Sequence, residues 1–427
     1  MNNVAQCLSE YYTLAQVADI LGVSKETLRR WDKSGKLKAT RNPINEYRVY
    51  HRSQLEIFEQ AKLLFNSCWD EELRTEPAHP YSSVELFAGA GGLALGLEKA
   101  GFEHVLLNEI DKHASATLKR NRPHWDVRCG DVADIDFTSL RHAVDFVSGG
   151  FPCQAFSYAG NKRGFDDVRG TLFFQFARAV DEIRPKIFLA ENVRGLLSHE
   201  EGRTLSTIRQ VIDELGYVLI EPRVLKAIFY QVPQKRERLM LVGIRKDLYF
   251  EGCFNWPAPY KTIFTVRDAL CAGSLYEQDV PESIGAKYPE RKKEILSHVP
   301  QGGYWRDLPD DLQREYMKKS YFLGGGKTGM ARRLSMDEPS LTLTCSPSQK
   351  QTERCHPEET RPLATREYAR IQTFPDEWEF EGPTTSIYKQ IGNAVPVNLA
   401  AAMGRSLVRL LNKLDNQDRQ ADYTLPR

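Results

Sequence analysis

Apolar positions change their period along the chain. Leu14, Val17, Ile20 and Leu21 recur at helical spacing, Gly22 interrupts them, and a second short helix is expected from Ser24 to Trp31. Ser24 suits an N-cap and Gly22 the turn between the two helices. From residue 82 the pattern differs: short apolar runs, "SVELFAG", "HVLLNEI", "VDFVSGG", "KIFLAEN" and "RLMLVGI", alternate with amphipathic stretches such as "TLFFQFARAVDEI" and "TLSTIRQVIDEL". This alternation predicts a doubly wound α/β fold, a parallel sheet covered by helices on both faces.

The rhythm is lost from about residue 261, where Gly, Pro and charged residues dominate ("HVPQGGYWRDLPDD", "YFLGGGKTGMARRL"). It resumes at "TREYARIQTFP", and "NLAAAMGRSLVRLLNKL" predicts a closing helix. An acidic trio with Pro77 and Pro80 marks residues 65–81 as a linker. The expected division is a helical unit over 1–64, that linker, an α/β unit over 82–260, an irregular region over 261–374, a return to the α/β unit over 375–415, and a tail over 416–427.

At 427 residues the chain exceeds what one hydrophobic core usually fills, in keeping with several units. Net charge is +1, so no partner follows from global charge. A local patch does stand out: Lys25 to Arg52 holds nine Lys/Arg against three Asp/Glu. No apolar run approaches bilayer length and the N-terminus lacks a signal-peptide pattern, which implies a cytoplasmic protein without a membrane partner. The eight cysteines are scattered, without a CxxC pair or a His/Cys cluster, so neither a disulfide framework nor a metal site is expected.

Candidate chemistry starts at "LFAGAGGLALG". Gly89, Gly91 and Ala94 satisfy G-x-G-x-x-G/A between a strand and a helix, a site for a nucleotide-like ligand. Glu109 ends the second strand, where a carboxylate can accept from ribose hydroxyls, and Asp131 follows the third. Either acid could equally cap a helix or sit solvated in a loop. A dinucleotide dehydrogenase fits this much.

The later segments decide. "FPCQAFS", "AENV", "VPQKRERL" and "QIGNAVPVNLA" follow the glycine motif in the order of the DNA cytosine carbon-5 methyltransferase family, which residues 82–415 resemble. The resemblance implies a Rossmann-like sheet, S-adenosylmethionine as cofactor, and methyl transfer to carbon 5 of cytosine in a specific double-stranded DNA sequence, protecting host DNA from a cognate restriction endonuclease. It makes Cys153 the nucleophile at cytosine carbon 6, Glu191 the acid at ring nitrogen 3, and Arg236 and Arg238 the holders of the target nucleotide. It puts Phe87, Gly89, Gly91, Glu109, Asp131, Pro152 and Asn393 at the cofactor. Gly160, Gly164 and Gly170 fall in the family's mobile loop over a flipped base. Val397 stands where the family commonly has a second proline. The irregular region becomes a target-recognition region, with Arg332, Arg333 and Thr342 expected at DNA beside Leu343, Lys350 and Arg354; those basic residues could instead be plain solvated surface.

The N-terminal segment, with "LKATRNPINEYRVY" in the place of a wing hairpin, resembles the helix-turn-helix of the MerR family. Lys25, Thr27, Arg29 and Arg30 are then its groove-facing candidates, for autoregulation or added DNA affinity. A helical interaction module with a solvated basic face is the alternative. The enzyme is expected to act as a monomer on DNA, or to dimerise through this domain. Two other functions fit parts of the sequence: RNA cytosine methylation by the family's tRNA-modifying branch, and DNA-binding regulation with an inactive methyltransferase half.

Overall fold

In the computed structural model, residues 10–43, 45–151 and 171–424 are described. Pro152, Cys153, Gly160, Gly164 and Gly170 lie outside them. The chain divides into two units, one of residues 1–72 with 258–263, the other of 73–257 with 264–427. The first boundary falls inside the expected linker, and six residues, 258–260 from the end of the α/β stretch and 261–263 from the start of the irregular region, belong to the N-terminal unit.

The N-terminal unit holds β1 (Tyr11–Thr13), α1 (Leu14–Leu21), α2 (Lys25–Ser34), β2 (Thr40–Arg41), β3 (Arg48–His51) and α3 (Glu59–Phe65). Thr13 caps α1 in a capping box with Gln16, and Gly22 ends it at φ 68°, a left-handed conformation that glycine adopts without strain. Ser24 accepts the Thr27 amide at 3.0 Å to start α2. The turn and the two helices stand where the pattern of Leu14, Val17, Ile20 and Leu21 put them. β1 and β2 flank β3 in an antiparallel three-stranded sheet. The returning segment is fastened on its own account: Ala258 donates to the buried Glu72 carboxylate at 3.0 Å, Ser67 bonds the Pro259 carbonyl, and the Trp69 and Tyr260 rings lie 5.3 Å apart.

The larger unit is built on one sheet. Its strands are β4 (Tyr81–Leu86), β5 (Phe102–Glu109), β6 (Val127–Cys129), β7 (Phe146–Gly149), β8 (Ile187–Asn192), β9 (Tyr217–Leu219), β10 (Arg223–Lys226) and β12 (Glu237–Arg245), while the short β11 (Gln234–Lys235) lies outside it. The order is β10-β12-β8-β7-β4-β5-β6, with β9 also on β12. β4 to β8 run parallel, but β12 pairs antiparallel with β8, β9 and β10. The sheet is therefore mixed, where the apolar runs predicted a parallel one. A run such as "RLMLVGI" is apolar because both its faces are covered, and that says nothing of direction.

Both faces are indeed covered. Val84, Leu86, Val147, Phe188 and Leu241 pack against α6 (Leu172–Ile183) and α7 (Arg203–Glu214). Leu107 and Val127 face a second core shared with α5 (Lys112–Asn121), α8 (Thr365–Ile371) and α9 (Thr384–Asn393). The last helix, α10 (Val397–Thr424), meets α4 (Gly92–Lys99) so closely that a Cβ on Gly96 would sit 2.3 Å from that of Ala400. The stretch Thr384–Gln417 is by length and composition apolar enough to cross a membrane, contrary to the sequence reading, but 83% of its most apolar window is buried in the protein's own core. Within the irregular region Leu296, Trp305, Met317, Met330 and Cys355 form a core of their own.

Candidate active site

β4 lies between β5 and β7, and the chain leaves them toward opposite edges of the sheet, so a crevice opens beyond their carboxyl ends. It holds a cleft of about 830 Å³. Residues 87–89 line it after β4, Glu109 at the end of β5, Gly130 and Asp131 after β6, Gly150 after β7 and Glu191 near the end of β8. Segments far along the chain complete it: Arg236, Arg238, residues 342–345 and residues 392–395. One cleft thus gathers most of the residues singled out from scattered motifs.

On one side, both Glu109 oxygens are fixed by backbone amides, Oε2 by Gly89 and Oε1 by Asp111, each at 2.7 Å. Burial nevertheless pushes its pKa up. Gly89 and Gly91 have φ of 56° and 86°. A Cβ on Gly91 would strike Leu118 at 2.7 Å and Trp378 at 2.9 Å, whereas one on Gly89 or Gly130 would meet nothing within 4 Å. Gly91 therefore serves packing, and Gly89 leaves backbone open to the cleft. Phe87 borders it at φ 57°, a conformation rare outside glycine. Asp131 accepts the Ala133 amide at 2.9 Å, capping a short turn while its residue lines the cleft.

On the other side, Arg238 Nε forms an ion pair with Glu191 Oε1. Burial pushes the Glu191 carboxyl up, against the opposing pull of Arg238 and Arg236. Arg236 is 2% exposed and donates to the carbonyls of Leu343 at 3.1 Å and Gly392 at 2.9 Å. Burial, reinforced by Arg238, lowers its pKa to about 9. Its guanidinium ties two distant segments into the wall. The Glu237 carboxylate pairs with Arg194 at 2.9 Å rather than with Arg236 or Arg238, while Arg238 Nη1 donates to the Glu237 carbonyl at 2.9 Å.

Several residues had no assigned role in the sequence reading. Asn192 donates from Nδ2 to the Phe151 carbonyl at 2.9 Å, holding the chain one residue before Pro152. Gly150 leaves room for Glu191: a Cβ there would lie 2.9 Å from Oε2. Glu85, buried in β4 and lining the cleft, has its pKa raised to about 8 by burial; a carboxylate inside the apolar run "SVELFAG" is its only sequence signal. Gln234 accepts the Leu343 amide at 2.9 Å and donates to Gln372 at 2.9 Å.

The expected DNA contacts fare unequally. Thr342 lines the cleft and donates to the Lys235 carbonyl at 2.7 Å. Arg333, expected at DNA, is only 5% exposed and donates to the carbonyls of Leu296 and His356 and to Thr360, because it pins the recognition region's core. Arg354 is likewise buried and bonds the Thr342 carbonyl. Arg332 is partly buried, and Lys350 donates to the Met317 carbonyl at 3.5 Å. On α2, Arg29 pairs with Glu26 at 3.1 Å and Arg30 bonds Thr27 at 3.3 Å; Lys25 is half-buried. Val397 opens α10 by donating its amide to the Gln372 carbonyl at 3.1 Å, a bond that a proline could not make. Among the described residues no cluster of His, Cys, Asp and Glu could hold a metal ion.

Comparison with known proteins agrees with this geometry. Residues 81–409 match the model of the C-5 cytosine-specific DNA methylases, and residues 11–62 match a helix-turn-helix domain. The chain is similar to type II methyltransferase M.Eco47II of Escherichia coli, 66% identical over 96% of this chain and 98% of the relative. It is 61% identical to type II methyltransferase M.PspPI of Psychrobacter sp. (strain TA137), over 94% and 97%. A crystal structure of a prophage-encoded DNA modification methyltransferase (E. coli) shares the fold at TM-score 0.59 and 24% identity, covering 78% of this chain and 99% of that one. With strand ends, cleft and ordered motifs in agreement, the chain belongs to the C-5 cytosine-specific DNA methylase family and carries a helix-turn-helix domain at its N-terminus.

Proposed function

We propose that the cleft holds S-adenosylmethionine and a flipped cytosine side by side, and that the chain is the modification enzyme of a type II restriction and modification system. The observation that carries this reading is the meeting of the Gly89 turn, Glu109 and the Glu191–Arg238 pair around one cleft. The residues fit the cofactor: Gly89 and Gly130 leave open space, Glu109 offers a fixed carboxylate, and Phe87, Gly91, Asp131, Pro152 and Asn393 complete the set by motif position. When bound, S-adenosylmethionine supplies an electrophilic methyl group.

The chain's own residues prepare the base. The Cys153 thiolate adds to carbon 6 of cytosine, which makes carbon 5 nucleophilic. Glu191 delivers a proton to ring nitrogen 3. Burial favours its protonated form, and Arg238 on Oε1 leaves Oε2 to carry that proton. After methylation, the carbon 5 proton passes to water, the thiolate leaves carbon 6 and the nitrogen 3 proton returns to Glu191, which restores the ring. Lys25, Thr27, Arg29 and Arg30 engage DNA through the helix-turn-helix, Arg332 and Thr342 act near the target, and the enzyme works in the cytoplasm beside an endonuclease, as a monomer on DNA.

Bisulfite sequencing of host DNA expressing the wild type and Cys153→Ala tests this. Methylated cytosines in one short motif should appear only with the wild type; equal methylation with both proteins overturns the mechanism. For the N-terminal domain, Lys25→Ala/Arg30→Ala should weaken promoter binding or duplex affinity, and loss of neither removes it from DNA contact.

A further inference from the structure

Cys345 and Asn393 are 48 residues apart in the chain, yet the Cys345 thiol donates to Asn393 Oδ1 at 3.1 Å. Both residues are exposed and line the same cleft. Their backbones are locked together. A Cβ on Gly392 would lie 2.3 Å from the Thr344 carbonyl oxygen and 2.8 Å from the Cys345 nitrogen, so no side chain fits between the two segments. Arg236 bonds the carbonyls of Leu343 and Gly392, and Tyr368 donates to the carbonyl of Thr344 at 2.9 Å. Two side chains in a frame this rigid meet by construction.

A carboxamide exposed in a cleft can flip its oxygen and nitrogen at little cost, and only one orientation offers a donor in a given direction. A thiol that donates to Oδ1 selects the orientation in which Nδ2 remains a free donor. We propose that Cys345 is a positioning residue: it fixes the Asn393 carboxamide with its amino group presented to the cofactor, and so sets cofactor affinity without taking part in methyl transfer. This rests on the cofactor assignment of Asn393 made above.

The test compares Cys345→Ala, Cys345→Ser, Asn393→Ala and the Cys345→Ala/Asn393→Ala double variant. S-adenosylhomocysteine affinity is read by calorimetry, and KM for S-adenosylmethionine and kcat by labelled-methyl transfer. Loss of a hydrogen bond of this kind predicts a drop in affinity of about three- to tenfold for Cys345→Ala, mirrored in KM with kcat within about twofold. Cys345→Ser, which restores a donor, should return affinity to within about twofold of the wild type. In the Asn393→Ala background, removing Cys345 should have no further effect.

Wild-type affinity in Cys345→Ala, no rescue by serine, a fall in kcat alone, or an undiminished effect without Asn393 overturns the inference. Wild-type affinity in Asn393→Ala overturns it together with that residue's cofactor role. Failure of the catalytic reading is separate: it shows as methyl transfer retained by Cys153→Ala, whatever the affinities are.

Discussion

Arg238 and Glu191 form an ion pair at the edge of the cleft, reaching diagonally across the antiparallel β12–β8 junction, where Glu191 lies opposite Met240, two residues along from Arg238. The pair gives the acid its aim as well as its partner. Glu191→Gln keeps the shape and removes the proton, so kcat for duplex DNA should fall by about 10²- to 10⁴-fold. Labelled-methyl transfer measures this, and a wild-type rate would remove Glu191 from the proton step. Arg238→Ala leaves the buried Glu191 acid without its partner and should lower stability by about 1–3 kcal/mol in denaturant unfolding.

Gly150 tests the space that Glu191 occupies. A methyl group 2.9 Å from Oε2 forces the carboxyl aside, so Gly150→Ala should lose most activity while binding S-adenosylhomocysteine as the wild type does. Weakened cofactor binding in parallel would instead point to a general collapse of the cleft.

Asn192 anchors the chain just before Pro152. Asn192→Ala leaves the buried Phe151 carbonyl without this donor, at a cost of about 1–3 kcal/mol in chemical denaturation. Because Cys153 lies two residues beyond that carbonyl, kcat should fall more than stability alone explains, even well below the melting temperature.

Glu85 predicts a pH dependence. Its pKa is about 8 in the folded chain, while an unfolded glutamate titrates near 4.5. Between these values the native state keeps a proton that the unfolded state has lost, so stability falls as pH rises, by at most about 1.4 kcal/mol per pH unit. Below pH 4.5 both states are protonated and the effect vanishes. Glu85→Gln should flatten melting temperature between pH 5 and 8, as read by calorimetry; an unchanged slope would place the titration elsewhere.

The cleft's composition was legible in the sequence because its parts are local motifs. Gly89, Glu109, Glu191 and Asn393 each sit at a strand or helix end that short-range pattern marks. What pattern cannot carry is pairing across the chain. The antiparallel β12, the use of Arg236 and Arg333 as internal ties, and the contact of Cys345 with Asn393 depend on partners tens to hundreds of residues away. An arginine in a string of letters looks the same whether it bonds a phosphate or a carbonyl. Glu85 and Asn192 were hidden for another reason: a polar residue within a strand motif takes its meaning from the chain beside it.

The strap of residues 258–263 makes the N-terminal unit discontinuous. Deletion of residues 1–72 is therefore not a clean excision, since it takes away the partners of Ala258, Pro259 and Tyr260. The module also cannot be transplanted as a simple N-terminal fusion: a functional graft must carry two pieces of sequence, and loss of activity on deletion would measure an orphaned strap as much as a missing DNA reader.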